Sequence, residues 1–271
     1  MIPVGLHRVE ATVFGRGTPT VVIEPSYGGS AADWQAIAGR LAGETTVVTY
    51  DRAPYGPSSP ARDRRSAAEI AADLDGVLRH LGITGPLVLV GHSMGGVYMR
   101  AFAARHPERV AGMVLVDSSH EGQWPVIFPR FTLKNRVIVA LSVPRLILSR
   151  RGWRGGADRA SIIREQRAIR RLTAADLPFA PGGLGDRPLA VLTRGPEGAA
   201  ETDRLWRAWY ELQRELAALS ENSRHVVSDS PMHYLTEGDP DLIVESITDV
   251  VRCVRDRARL GDALQQASDG Q

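Results

Sequence analysis

The sequence predicts an α/β protein: a mostly parallel, doubly wound sheet with helices on both faces and a helical lid inserted between two of its strands. Two observations predict this class. Short apolar runs rich in β-branched residues alternate with longer stretches of helical periodicity, the pattern of strands buried on both faces and covered by helices. That alternation is broken once, between residues 118 and 187, over a length that far exceeds an ordinary connection. The expected organisation is therefore a core made of residues 1–118 and 187–260, a lid over 119–186, and a frayed tail over 261–271.

The strands are expected at residues 21–23, 46–50, 87–90, 110–116, 189–193 and 225–227, with residues 6–14 as an antiparallel edge. Between the second and third of these runs, Ser66 and Glu69 form a capping box that satisfies the first unpaired amides of a helix. Ile70, Leu74, Val77, Leu78 and Leu81 then recur on one face, and Gly82 stands where a left-handed cap ends the helix. The last helix repeats the pattern with Ile243, Ile247, Val250, Val251 and Val254, capped by Asp239 or Asp241. Residues 161–172 are arginine-rich and helical, and residues 201–219, with Trp206, Trp209, Leu212 and Leu216, predict a helix between the last two strands.

At 271 residues the chain can bury one substantial core. A formal net charge of +2, with basic residues spread along the chain, argues against a nucleic-acid partner. Cys253 is the only cysteine, so neither an intrachain disulfide nor a cysteine metal site can be built, which fits a reducing cytoplasm. No apolar stretch runs to membrane-spanning length without an interrupting Arg or Pro, and residues 1–17 lack the pattern of an export signal, so no membrane association is expected.

The chemistry enters at Gly91-His92-Ser93-Met94-Gly95. The run Pro86 to Val90 leads straight into it, and a helical stretch follows until Pro107. A serine on such a strand-to-helix turn is held in a strained conformation with its hydroxyl above the sheet, and the flanking glycines are needed because side chains there would strike neighbouring backbone.

Four blocks carry a resemblance to a known family. Besides the elbow they are Glu24-Pro25-Ser26-Tyr27-Gly28-Gly29-Ser30 with Trp34, Tyr50-Asp51-Arg52-Ala53-Pro54-Tyr55-Gly56-Pro57-Ser58, and Ser230-Pro231-Met232-His233-Tyr234. In content and order, from about Val4 to Val254, they resemble the α/β-hydrolase superfamily. The resemblance implies that Ser93 is a nucleophile and that the second block resembles the family's D-R-x-G-x-G-x-S turn. It also implies that the backbone amides of Tyr27 and Met94 form an oxyanion hole, a stabilisation of about 2.7–4 kcal/mol per donor. The oxyanion loop departs from the His-Gly of many members by carrying Pro25-Ser26.

Seven histidines compete for the role of base. His233 follows the last strand, at the carboxyl edge where the elbow lies and where such folds bind ligands, and the chain order nucleophile, acid, histidine fits this fold. His92 is excluded as base because neighbours at a sharp turn point apart. His120, just past the strand ending at Val116, is the rival for a place near the site, and His7, His80, His106 and His225 are expected to be remote from it. The acid should accept a hydrogen bond from the imidazole and stabilise its charged form. Most relatives place it after the strand equivalent to 189–193, where this chain offers only Glu197, out of register. A minority take it from the preceding strand end, where this chain has Asp117. Asp117 is the expected acid and Glu197 the alternative, while Asp51 and Arg52 are read as structural.

These residues imply a serine hydrolase: His233 takes the Ser93 proton, an acyl-enzyme forms, and water releases it, with no metal and no cofactor. The expected substrate is a carboxylic ester, lactone or thioester, since the epoxide and haloalkane relatives attack with aspartate. Apolar lid residues such as Phe128, Phe131, Val137, Ile138 and Leu141 point to a hydrophobic small molecule. Arg130, Arg136, Arg145, Arg150, Arg151 and Arg154 could receive a carboxylate or the phosphopantetheine phosphate of a carrier protein, or form a solvated basic face. Acyl transfer or cyclisation by the same triad, and a receptor-like binding role without hydrolysis, are the competing readings.

Overall fold

A computed structural model describes residues 1–127, 159–177, 179–198 and 200–260. Among them the chain forms an eight-stranded sheet, made of β1 (Ile2–Val4), β2 (His7–Phe14), β3 (Thr20–Glu24), β4 (Val47–Asp51), β5 (Leu87–His92), β6 (Val110–Val116), β7 (Leu189–Thr193) and β8 (Ser223–Val227). The spatial order is β1-β2-β4-β3-β5-β6-β7-β8; β1 to β2 and β2 to β4 are antiparallel, and every later pairing is parallel. The expected strands are all present, and the edge is longer than the sequence indicated. The chain reverses at Gly5, whose φ of +51° suits glycine, so residues 2–4 fold back on His7–Val9 as a hairpin.

The helices are α1 (Gln35–Leu41), α2 (Ala67–His80), α3 (Met94–Arg105), α4 (Gln123–Ile127), α5 (Arg159–Arg171), α6 (Ala200–Ala217), α7 (Leu235–Gly238) and α8 (Pro240–Asp256). The capping box of α2 forms as expected: the Ser66 hydroxyl accepts from the Glu69 amide and the Glu69 carboxylate accepts from the Ser66 amide at 2.8 Å. Of the two candidate caps for α8, Asp239 serves, accepting from the Leu242 amide.

Alternating side chains of the central strands feed two cores. Val22, Leu89, Leu115 and Val191 pack with α2 and α3, while Val21, Ile23, Val88, Val90, Val114 and Leu192 pack with α1 and α8. The sheet is thus sandwiched, and only its strand ends are free to carry a site. Residues 128–158, which include the apolar and arginine residues expected to line a lid, and the tail 261–271 lie outside the described residues. The described residues contain no helix long and apolar enough to cross a membrane.

Candidate active site

β5 ends at His92 and α3 begins at Met94, which leaves Ser93 alone on the turn with φ 53° and ψ −121°. A non-glycine residue held there stores roughly 1–3 kcal/mol of backbone strain. The surroundings enforce it: the Ser93 amide donates to the Val116 carbonyl at 3.1 Å and its carbonyl accepts from the Ser119 amide at 2.9 Å. The glycines are sterically required. A Cβ on Gly91 would lie 2.5 Å from the Gly96 Cα, one on Gly95 would lie 2.2 Å from the Glu24 carbonyl oxygen, and one on Gly96 would lie 2.0 Å from the Ser118 hydroxyl. Gly95→Ala is therefore expected to lose several kcal/mol of stability and most soluble expression, a loss read in the denaturation midpoint. A midpoint equal to that of the unsubstituted protein would show that the elbow and the β3 loop are not in contact.

Asp117, one residue beyond β6, is fully buried and also has positive φ, 39°. Its amide donates to the Leu192 carbonyl at 2.7 Å, which turns the carboxylate toward the carboxyl ends of β7 and β8. There Oδ2 lies 2.5 Å from His233 Nδ1, while Oδ1 accepts the Trp209 indole N–H at 2.6 Å. Arg194 adds a donor from the other side, with Nη1 2.7 Å from Oδ2 and its amide 3.3 Å from Oδ1. Burial alone would raise the Asp117 pKa, but the donors His233, Arg194 and Trp209 outweigh it and hold the pKa down to about 2.

His92 takes a part that the sequence did not indicate. Its Nε2 lies 2.9 Å from the His233 carbonyl oxygen and its ring centroid is 4.9 Å from that of His233, so the residue before Ser93 holds the histidine loop in place. Burial and the nearby His233 lower its pKa from 6.5 to about 3, so the ring is neutral and Nε2 carries the donated proton. The folded-state pKa is depressed, so the stabilisation is complete above pH 6.5. It is lost as pH falls toward 3, at up to about 1.4 kcal/mol per pH unit. His92→Asn should therefore be less stable than the unsubstituted protein at pH 7, with the gap in denaturation midpoint narrowing by pH 4.5; a gap independent of pH would contradict this role.

On the other side of Ser93, the Tyr27 loop is held from below by Arg52. This buried guanidinium donates to the Pro25 carbonyl at 3.1 Å, to the Ser26 carbonyl at 2.8 Å, to Glu24 at 2.7 Å and to Glu165 of α5 at 3.0 Å. One cation thus faces two buried carboxylates, and burial pushes the Glu24 pKa up to about 7 against the opposing pull of Arg52. Asp51 instead accepts the Ala31 amide at 2.8 Å, so the turn residues brace the loop, in line with the structural role read for them.

The remaining candidates fall elsewhere. His120 Nε2 faces Glu215 at 3.4 Å, and His225 lies 2.7 Å from the Thr193 hydroxyl and stacks on Tyr210. Glu197 is exposed, and the donors around Asp117 include Arg194 from the very loop in which an acid was sought. Among the described residues, the one cluster with metal-ligand types is His7, Asp63 and Asp73. Arg65 already sits against both carboxylates, at 3.3 Å and 2.7 Å, so that cluster is an ion-pair network with its cation supplied by the chain.

A family model described as the alpha/beta hydrolase fold matches residues 19–140. The protein YqjL of Bacillus subtilis is 24% identical over 236 residues, 87% of this chain and 85% of that protein. An esterase from Thermogutta terrifontis superposes with a TM-score of 0.67 at 20% identity, covering 91% of this chain and 93% of that one. The ancestral haloalkane dehalogenase AncHLD2 superposes with a TM-score of 0.74 at 17% identity, covering 94% and 99%. The matched model and the superposed structures show that the chain has the α/β-hydrolase fold.

Proposed function

We propose that the protein is a serine hydrolase that cleaves a carboxylic ester, lactone or thioester of a hydrophobic small molecule, with Ser93 as nucleophile, His233 as general base and Asp117 as the acid that orients it. The observation that carries this reading is the 2.5 Å contact of His233 Nδ1 with the buried Asp117, at the same sheet edge as the strained Ser93 turn. With Nδ1 engaged by the carboxylate, Nε2 is the ring nitrogen left to take the Ser93 proton. The imidazolium that forms is stabilised by Asp117, and it then returns the proton to the leaving group. The Tyr27 and Met94 amides receive the oxygen of the tetrahedral intermediate. The close approach of Gly95 in the elbow to the Glu24 and Pro25 backbone supports that pairing. Water attacks the acyl-enzyme in the second half, with His233 again as base. A serine at the elbow favours acyl chemistry over the aspartate-based halide displacement of the dehalogenase class.

The lid over residues 119–186, a hydrophobic acyl group and a cytoplasmic setting belong to the same proposal. The elbow motif and the Asp117–His233 pair favour catalysis over a receptor-like role. p-Nitrophenyl esters of increasing acyl length test it: the expected result is hydrolysis that rises with chain length and leaves free acid as product. Transfer to an added alcohol or amine in place of water would move the assignment to an acyltransferase, and no turnover of any ester or thioester would overturn it.

A further inference from the structure

Two of the residues that hold the Asp117 carboxylate, Arg194 and Trp209, also line a pocket of about 210 Å³, together with Ile127, Glu197, Leu205 and Trp206. Neither Ser93 nor His233 lines it. Its walls are fixed. The Trp206 indole donates to the Arg194 carbonyl at 2.8 Å, the Trp209 indole donates to Asp117, and the Gly195 amide donates to the Ser230 carbonyl at 2.7 Å.

The Arg194 side chain is the element not fully committed. It is 26% exposed, its guanidinium lies over the Trp209 ring at 5.3 Å, and a single nitrogen, Nη1, makes its side-chain hydrogen bond, to Asp117, while passing 3.3 Å from the Nδ1 of His233. Among the described residues the Nε and Nη2 hydrogens have no partner, and Glu197, though it lines the pocket, makes no ion pair with Arg194. That leaves the Nε/Nη2 edge, the fork that matches a carboxylate with two parallel hydrogen bonds, on a side chain that lines the pocket together with two indoles and two aliphatic side chains.

We propose that this pocket binds a small carboxylate with an apolar or aromatic body, held by the Nε/Nη2 edge of Arg194 between Trp206 and Trp209. The volume is below that of a drug-sized site, so the ligand is a short acid and not a long acyl chain. Occupancy has a consequence for catalysis that rests on the triad reading. Asp117 Oδ2 is shared between His233 and Arg194, and a bound anion competes for the guanidinium and leaves Asp117 more fully to His233. The carboxylate has two possible sources, a distal acid group of the substrate itself or a free acid acting as an effector.

The test titrates full-length Ser93→Ala protein with phenylacetate and, separately, with phenylacetamide, following tryptophan fluorescence and binding heat. Because Ser93 is absent, the result does not depend on the hydrolase reading. The expected result is saturable phenylacetate binding, about tenfold weaker amide binding, loss of that preference when Arg194→Gln is added, and partial retention with Arg194→Lys. Equal binding of acid and amide, an unchanged preference in Arg194→Gln, or no saturable binding overturns the proposal. Thermal melts establish that each variant is folded, and Arg194→Lys keeps the test decisive if the glutamine variant is not. With the wild-type protein, a preference for p-nitrophenyl hemi-esters of dicarboxylic acids over neutral esters of equal length assigns the site to substrate. A change in neutral-ester turnover on adding phenylacetate, without that preference, assigns it to an effector.

Discussion

Ser93→Ala is expected to lower kcat for a p-nitrophenyl ester by about 10⁶-fold while leaving the fold intact, as measured by initial rates beside a thermal melt. The size follows from the role. Without Oγ there is no acyl-enzyme, and the oxyanion amides and the binding pocket are left to accelerate direct attack by water, which retains only a small part of the original rate. The substitution removes an oxygen from a half-buried side chain and leaves the strained backbone, so stability should hold or rise. A residual activity within tenfold of wild type would move the nucleophile elsewhere.

Asp117→Asn is expected to lower kcat by about 10⁴-fold with little change in KM, because an amide presents the wrong hydrogen-bonding partner to His233 Nδ1 and cannot stabilise the imidazolium. The structure adds a second cost. The carboxylate accepts from His233, Trp209, the Arg194 guanidinium and the Arg194 amide, and an asparagine side chain has one carbonyl oxygen for four donors. The variant should therefore also lose stability, which denaturant melts would register separately from the kinetics. Glu197→Gln, by contrast, should change kcat by less than about twofold, since Glu197 is exposed and none of its contacts is to His233. The opposite pattern would return the acid to the loop after β7.

The positions of the strands and the elbow are legible because their signals are local. The β-branched runs place β3 to β7 to within a residue or two, and Gly91, Gly95 and Gly96 are explained by contacts that the G-x-S-x-G-G spacing already implies. The preference for Asp117 over Glu197 is legible in the sequence only as an argument from register, which does not reach the surroundings of the carboxylate. A donor set from α6, from the end of β7 and from the histidine loop converges on Asp117, over separations of 77 to 116 residues.

Arg194 and His92 show the limit in physical terms. Arg194 reads as one more surface arginine in a chain with many, and nothing in Arg194-Gly195-Pro196-Glu197 reveals that its guanidinium turns inward to Asp117. The sequence sets His92 aside as a base, but its bond to the His233 carbonyl depends on two strand ends being brought together, which no local pattern encodes. Trp209 was assigned to a helix face by periodicity, whereas its indole N–H is a donor to the buried carboxylate. Glu165, within the predicted arginine-rich helix, is buried against Arg52 under the Tyr27 loop, a long-range pairing across 113 residues.

The central claim, that Ser93 is a nucleophile activated by the Asp117–His233 pair, is tested most directly by a fluorophosphonate probe with the modified peptide identified by mass spectrometry. The account predicts rapid, stoichiometric labelling of Ser93 in the unsubstituted protein, labelling slowed by orders of magnitude in Asp117→Asn and His233→Ala, and none in Ser93→Ala. Failure of the folded, unsubstituted protein to label, or labelling at equal rates with and without Asp117, would contradict it.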